Sequence, residues 1–135
     1  MIIYNEFGSN RIDEVKYIYN KESWKAYLTD DEKLKRAFDN SLFILGAFDG
    51  SKLVGFIRCV GDGEHILLVQ DLIVDPDYQK QGIGTYLFKK VLEKYSSVRM
   101  FMVITDKDDV VDNKFYQSFG MKKLEQMNMV GYIRV

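Results

Sequence analysis

The feature that most constrains the fold is a strand that stops at a proline and leads through two glycines into a helix. Residues Ile66–Val74 are almost all β-branched or aliphatic, which is typical of a buried strand. Pro76 ends the strand, because proline has no N–H to donate to a sheet. From Ile83 onward apolar residues return every three or four positions, which predicts an amphipathic helix that begins at the glycines.

This junction has the chemistry of an anion-binding loop. The first four N–H groups of a helix have no partner inside it, and the helix dipole adds positive charge at the same end. Gly82 and Gly84 carry no side chains that would block a phosphate. A dinucleotide-binding loop needs a third small residue where this chain has Leu87. A nucleotide P-loop needs a lysine between its last glycine and the Ser or Thr, whereas Thr85 directly follows Gly84 here. The alternative is a strand–helix joint whose glycines serve packing alone.

The segment from Leu72 to Gly84 reads LIVDPDYQKQGIG. It resembles the acetyl-CoA-binding motif of the GCN5-related N-acetyltransferases, the GNAT family. The resemblance implies that backbone amides of the glycine loop hold the pyrophosphate of acetyl-CoA, and that the pantetheine arm lies beside the strand like an added strand. The cofactor-binding residues that it implies are Leu72, Ile73, Val74, Gln79, Lys80, Gln81, Gly82, Ile83, Gly84 and Thr85.

A second motif, Asn113–Met121, resembles the family helix that carries a tyrosine and closes at a glycine. The resemblance implies that Tyr116 is the general acid that protonates the departing thiolate. The alternative is that Tyr116 packs in the core. Seven positions earlier, where the family commonly has an asparagine that contacts pantetheine, this chain has Asp109, which is either that contact or a helix cap.

The general base has no clear position. Relatives often carry a glutamate on the strand before the last helix, where this chain has Val103 and Ile104. Asp71, beside Gln70 inside an otherwise apolar strand, is the first candidate, either directly or through water. A bulge or edge position explains this polar pair equally well. The weaker candidates for the base are Glu64, His65 and Asp106.

Composition bears on the number of domains, the partners and the location of the protein. The chain has 135 residues, which suits one domain covering 1–135. Its net charge of −1 argues against nucleic acid or an anionic membrane as a partner. The single cysteine, Cys59, lies in an apolar run and is predicted to be a buried inert thiol. With no signal peptide or long apolar run, a soluble cytoplasmic protein is expected.

The element order predicts an α/β fold. We expect one strand, two helices, a three-strand meander, the helix after the glycines, a strand, a last helix and final strands within 121–135. The helical crossover favours parallel pairing of the strands that flank it. The result is a mixed, mostly antiparallel sheet with a central parallel pair that splays apart, which is the acyl-CoA N-acyltransferase fold that the resemblance implies.

The predicted function is acetyl transfer from acetyl-CoA to a primary amine of a small molecule, with no metal. Two alternatives stay open: a protein or peptide amine as the acceptor, and a coenzyme A-binding module without catalysis. Homodimers are frequent in such folds, so a homodimer is an alternative to the monomer.

Overall fold

The computed structural model describes all residues from Met1 to Val135. They form two compact units, Met1–Val103 and Ile104–Val135. The single domain expected over 1–135 remains a prediction.

The first unit contains a five-stranded sheet in the order β1-β2-β3-β4-β5. Its strands are β1 (Ile2–Glu6), β2 (Phe43–Asp49), β3 (Lys52–Gly61), β4 (Ile66–Val74) and β5 (Met100–Val103). Pairing is antiparallel from β1 to β4, and β4 pairs with β5 in parallel. The predicted mixed sheet and its parallel pair are therefore confirmed.

Two helices precede the meander and one follows it. They are α1 (Ile12–Lys21), α2 (Asp31–Asp39) and α3 (Ile83–Lys94). The Asp30 side chain caps α2 by accepting the N–H of Lys33.

Each face of the sheet is buried by helices. On one face, α1 and α2 pack with Phe56 of β3 and Ile73 of β4 in one apolar cluster. The alternate residues Ile57 and Leu67 are also buried, outside that cluster, and α3 contacts β2, β3 and β4. Cys59 is buried as expected, and burial raises the pKa of its thiol to about 12, so it stays protonated.

Strand β4 changes its pairing at Gln70. Val69 pairs with Cys59 and Asp71 pairs with Arg58, so Gln70 is the extra residue of a β-bulge. Pairing with β5 also stops here, at Val69 and Val103, whereas β4 continues to Val74. Since β5 ends at Val103, one edge of β4 has no strand partner from Gln70 onward, which agrees with the splay expected of the parallel pair.

The second unit contains one regular helix, α4 (Val110–Ser118). Asp109 caps its start by accepting the N–H of Asp112, and Gly120 lies just past its end with a left-handed φ of 81°. None of the helices in the chain combines the length and the apolar character that crossing a lipid bilayer requires.

The prediction of final strands within 121–135 is wrong. This segment forms only a short 3₁₀ turn, Leu124–Met127, which closes at Asn128 in the left-handed conformation. The side chains of Tyr132, Ile133 and Val135 are exposed. Strand-like composition is insufficient here, because a strand needs both a pairing edge and a face to bury.

Two glycines of the meander provide a test of this geometry. Gly50 and Gly61 both have left-handed φ, but a Cβ on Gly50 meets nothing within 4 Å, whereas a Cβ on Gly61 would lie 2.4 Å from the Ile66 carbonyl oxygen. We expect Gly50→Ala to lower the free energy of unfolding by about 1 kcal/mol and Gly61→Ala to lower it by about 3 kcal/mol. Urea denaturation measures both, and equal losses would contradict the close approach of β3 and β4 at Gly61.

Candidate functional site

The loop between β4 and α3 has an unusual backbone. A 3₁₀ turn, Pro76–Tyr78, follows β4, and the chain then reaches α3 through two residues with left-handed φ, Lys80 at 64° and Gly82 at 83°. Left-handed residues within a turn aim successive N–H groups into one concave surface, which is how backbone nests bind anions.

The amide groups of this loop are unpaired. None of the backbone N–H groups from Lys80 to Thr85 donates a hydrogen bond, and the first helical bond runs from the Tyr86 N–H to the Gly82 carbonyl. The first turn of α3 contains no acidic residue. Unpaired donors and an uncompensated helix dipole together make this end of α3 an electropositive cradle.

Packing does not explain the two glycines. A Cβ on Gly82 would meet nothing within 4 Å, and one on Gly84 would meet only Val74 Cγ2 at 3.9 Å. Gly82 is needed for its left-handed φ, whereas Gly84 has an ordinary helical backbone. The absence of a side chain at Gly84 therefore keeps the amides open to the outside, as phosphate binding requires.

Side chains from elsewhere hold the loop in place. The buried Asp75 accepts hydrogen bonds from Lys21 Nζ at 2.8 Å and from the Asp77 N–H at 2.9 Å. Burial by itself raises the pKa of the Asp75 carboxyl, but the Lys21 ammonium and the Asp77 N–H outweigh it, so the pKa lies below its ordinary value. Nothing in the sequence links Lys21 to this loop, because Lys21 lies at the end of α1, 54 positions before Asp75.

Gln79 has a positioning role that the motif did not suggest. Its side-chain amide donates to the Val74 carbonyl at 3.0 Å and to the Glu22 carboxylate at 3.1 Å. The side chain thus ties the end of β4 to the residue after α1. Leu72, Ile73 and Val74, the residues expected to lie beside pantetheine, form the unpartnered edge of β4 directly before this tie.

Asp71 lies in a buried hydrogen-bond network. Its Oδ2 accepts from Arg58 Nε at 2.6 Å and from the Tyr19 hydroxyl at 2.7 Å, and its Oδ1 accepts from the Tyr27 hydroxyl at 2.8 Å. The residue is only 1% exposed. Both oxygens are therefore engaged, and this geometry does not favour direct contact between Asp71 and an amine. The base role of Asp71 remains a prediction.

The other site candidates are distributed over both units. Glu64 and His65 are exposed in the turn before β4. Asp106, Asp109 and Tyr116 lie in the second unit, where Asp109 acts as the helix cap. Burial, followed by the Asp112 and Asp109 carboxylates, raises the pKa of Tyr116 above its ordinary value.

Comparison with known proteins is consistent with this site. A model of the acetyltransferase (GNAT) family matches residues 10–121. The chain belongs to the GNAT family. The family match spans the glycine loop of the first unit and Tyr116 of the second.

Individual GNAT relatives agree with the family match. A solved GNAT acetyltransferase from Streptococcus pneumoniae TIGR4 is 35% identical, with a TM-score of 0.87 over 100% of this chain and 98% of the other. An uncharacterized ycf52-like N-acetyltransferase of Prochlorococcus marinus is 34% identical over 92 residues, 65% of this chain and 51% of the relative. The chain spans about half the length of the curated relatives that it matches.

The GNAT family uses acetyl-CoA, and the residues present fit that ligand. The PaiA N-acetyltransferase of Thermoplasma acidophilum, solved in complex with coenzyme A, shares the fold at 20% identity, with a TM-score of 0.71 over 90% of each chain. In the present chain, the unpaired amides of Lys80–Thr85 suit a diphosphate, and the open edge of β4 suits an extended arm that contains amides.

Gly84 gives the sharpest test of the cradle. We expect Gly84→Val to weaken coenzyme A binding by about 100-fold, because the added side chain blocks the amides while meeting no protein atom closely. Isothermal titration calorimetry measures the affinity. Gly8→Val is the matched control, since a Cβ on Gly8 would also meet a single atom within 4 Å, the Asn10 Oδ1 at 3.9 Å, and this variant should bind as the wild type does. Equal affinity in Gly84→Val would remove the phosphate-binding role of the loop.

Proposed function

We propose that this protein is an acetyl-CoA-dependent N-acetyltransferase that moves an acetyl group directly to a primary amine of a small molecule. The observation that carries the proposal is the run of unpaired amides from Lys80 to Thr85, which continues directly from the open edge of β4. Main-chain groups left unpaired at two adjacent places are costly unless a ligand or water satisfies them.

In this proposal the chain's own groups divide the work of binding. The backbone amides of Lys80 to Thr85 hold the pyrophosphate, while the Gln79 N–H donates to the Pro76 carbonyl at 3.5 Å, and the exposed Lys80 adds positive charge. The edge of β4 at Leu72, Ile73 and Val74 pairs with the pantetheine arm, which carries the thioester toward Gln70. Acetyl-CoA supplies the activated acyl group. Asp109 is proposed to contact the arm in addition to capping α4.

Tyr116 is proposed to serve the leaving sulfur. The raised pKa of Tyr116 keeps its phenol protonated throughout the physiological range, so the residue carries a proton to donate. A phenol with a raised pKa is a weaker acid than a thiol, whose pKa is about 8.5. Its main contribution is therefore a hydrogen bond that stabilises the charge developing on sulfur as the C–S bond breaks.

The acceptor must lose a proton before it attacks. An alkyl amine has a pKa of about 10.4, so only about one molecule in 2,500 is neutral at pH 7. The enclosed position of Asp71 favours transfer of this proton through water. The small acceptor is supported by the stacked Tyr19, Trp24 and Tyr27 rings close to Asp71.

An amine panel tests the assignment. Acetyl-CoA binding is measured first by calorimetry, and release of free thiol is then followed with phenethylamine, spermidine, glucosamine, kanamycin and an unblocked peptide. We expect binding, and turnover with at least one small amine. Turnover with the peptide alone would move the acceptor to the protein class. Binding without thiol release from any acceptor would favour a non-catalytic coenzyme A-binding module.

The role of Tyr116 is tested by removing its hydroxyl. We expect Tyr116→Phe to lower kcat by about 100-fold with little change in the affinity for acetyl-CoA, because the ring stays and the donor is lost. The matched control is Tyr132→Phe, whose side chain is exposed in the same unit and which should not affect kcat. In the wild type, the raised pKa predicts no fall in kcat from Tyr116 ionisation below pH 10. Unchanged turnover in Tyr116→Phe would reduce this residue to a packing role.

A further inference from the structure

The network around Asp71 fixes the direction of its hydrogen bonds. A carboxylate paired with Arg58 can only accept, so the hydroxyl protons of Tyr19 and Tyr27 must both point at Asp71. Burial and the Asp71 carboxylate raise the pKa of Tyr27, which therefore keeps that proton. The Tyr27 oxygen can then act toward other groups only as an acceptor.

The outer part of the network lies at the surface. Tyr27 is half-buried and Gln70 is exposed, and the Gln70 Nε2 donates to the Tyr27 oxygen at 3.0 Å. The Tyr27 oxygen therefore accepts from Gln70 while its O–H points at Asp71, so an incoming N–H donor would share this oxygen with the Gln70 amide or take the place of that amide. The Gln70 amide also carries its own acceptor oxygen, Oε1.

The inner residues of the network are held in place by packing and hydrogen bonds. Arg58 is 4% exposed, its NH1 group donates to the Ser41 hydroxyl, and its guanidinium lies over the ring of Phe38. The Tyr27 ring stacks on Tyr19 with centroids 4.4 Å apart. Tyr27 is thus held at both its ring and its hydroxyl, so the position of its oxygen is fixed.

The position of this acceptor relative to β4 is informative. Gln70 is the bulge residue at which β4 loses β5 as its partner. An arm that runs along Val74, Ile73 and Leu72 from the glycine loop brings its acyl end to Gln70. This step rests on the proposed function.

We infer that the Tyr27 oxygen, with Gln70 beside it, is the site that recognises the N–H groups of the acceptor amine, and that Asp71 is the positioning residue that makes Tyr27 an acceptor. Asp71 thereby acts on the amine through Tyr27 without touching it. The site selects primary amines over cations that lack N–H hydrogens.

Binding of a matched ligand pair tests this inference without turnover. The protein is ¹⁵N-labelled and saturated with coenzyme A, and the Gln70 side-chain amide signal is followed by NMR. Phenethylammonium chloride, which carries N–H donors, should shift this signal saturably. Phenethyltrimethylammonium chloride, which has the same ring and charge but no N–H, should shift it much less. Equal responses to the two ligands would overturn the inference in favour of general attraction of cations to the aromatic rings.

Variants of two tyrosines complete the test. Tyr27→Phe removes the acceptor oxygen and keeps the stacked ring, so we expect phenethylammonium to bind about tenfold more weakly, with coenzyme A affinity unchanged. Where an amine is acetylated, its KM should rise by a similar factor. Tyr17→Phe, at an exposed position on α1, should match the wild type. Wild-type amine affinity in Tyr27→Phe would overturn the inference.

The result is separable from the proposed function. Amine binding at Gln70 that depends on Tyr27, without acetyl transfer to any acceptor, would overturn the proposed enzyme and leave the amine site standing. Acetyl transfer by the wild type, with the same amine affinity and KM in Tyr27→Phe, would support the proposed enzyme and overturn the amine site.

Discussion

The ligand-binding capacity of this fold depends on where main-chain N–H and C=O groups have no partner within the protein. In folded proteins nearly all buried groups of this kind find a partner, and exposed ones bind water or a ligand. Here two stretches on either side of the turn Pro76–Tyr78 lack backbone partners: the edge of β4 after Val69, where the Gln79 side chain reaches only the Val74 carbonyl, and the amides from Lys80 to Thr85. They are adjacent because β4 runs directly into the loop. A ligand that carries amides at one end and a diphosphate at the other satisfies both, so the capacity to bind belongs to the backbone more than to any side chain.

An open edge persists only if other contacts hold it open. The bulge at Gln70 turns β4 at the point where β5 departs. At the other end of the edge, Lys21 holds Asp75 and the Gln79 side chain holds the Val74 carbonyl. These contacts come from α1 and from the loop itself, so the helix that covers the sheet also sets the shape of the cradle.

The buried pair of Arg58 and Asp71 has consequences for both stability and chemistry. Removing one partner of such a pair costs about 3–5 kcal/mol in proteins, because the remaining charge is left buried. The pair joins β3 to β4 across the bulge, and through Tyr19 and Tyr27 it joins the sheet to α1 and the turn that follows it. A network that is fully satisfied inside therefore presents a defined polar atom outside.

The sequence by itself determined the local features of this protein. The bounds of β4 at Ile66–Val74, the start of α3 after Gly82, the cap at Asp109 and Gly120 past the end of α4 follow from neighbouring residues, since strand composition, helix caps and left-handed turns are short-range effects. Only the tertiary structure decided what the polar residues do. The partners of Asp71 lie 13, 44 and 52 positions away in the chain, which no spacing reveals. It also decided that 121–135 forms no strand, because strand formation requires an edge supplied by the rest of the fold.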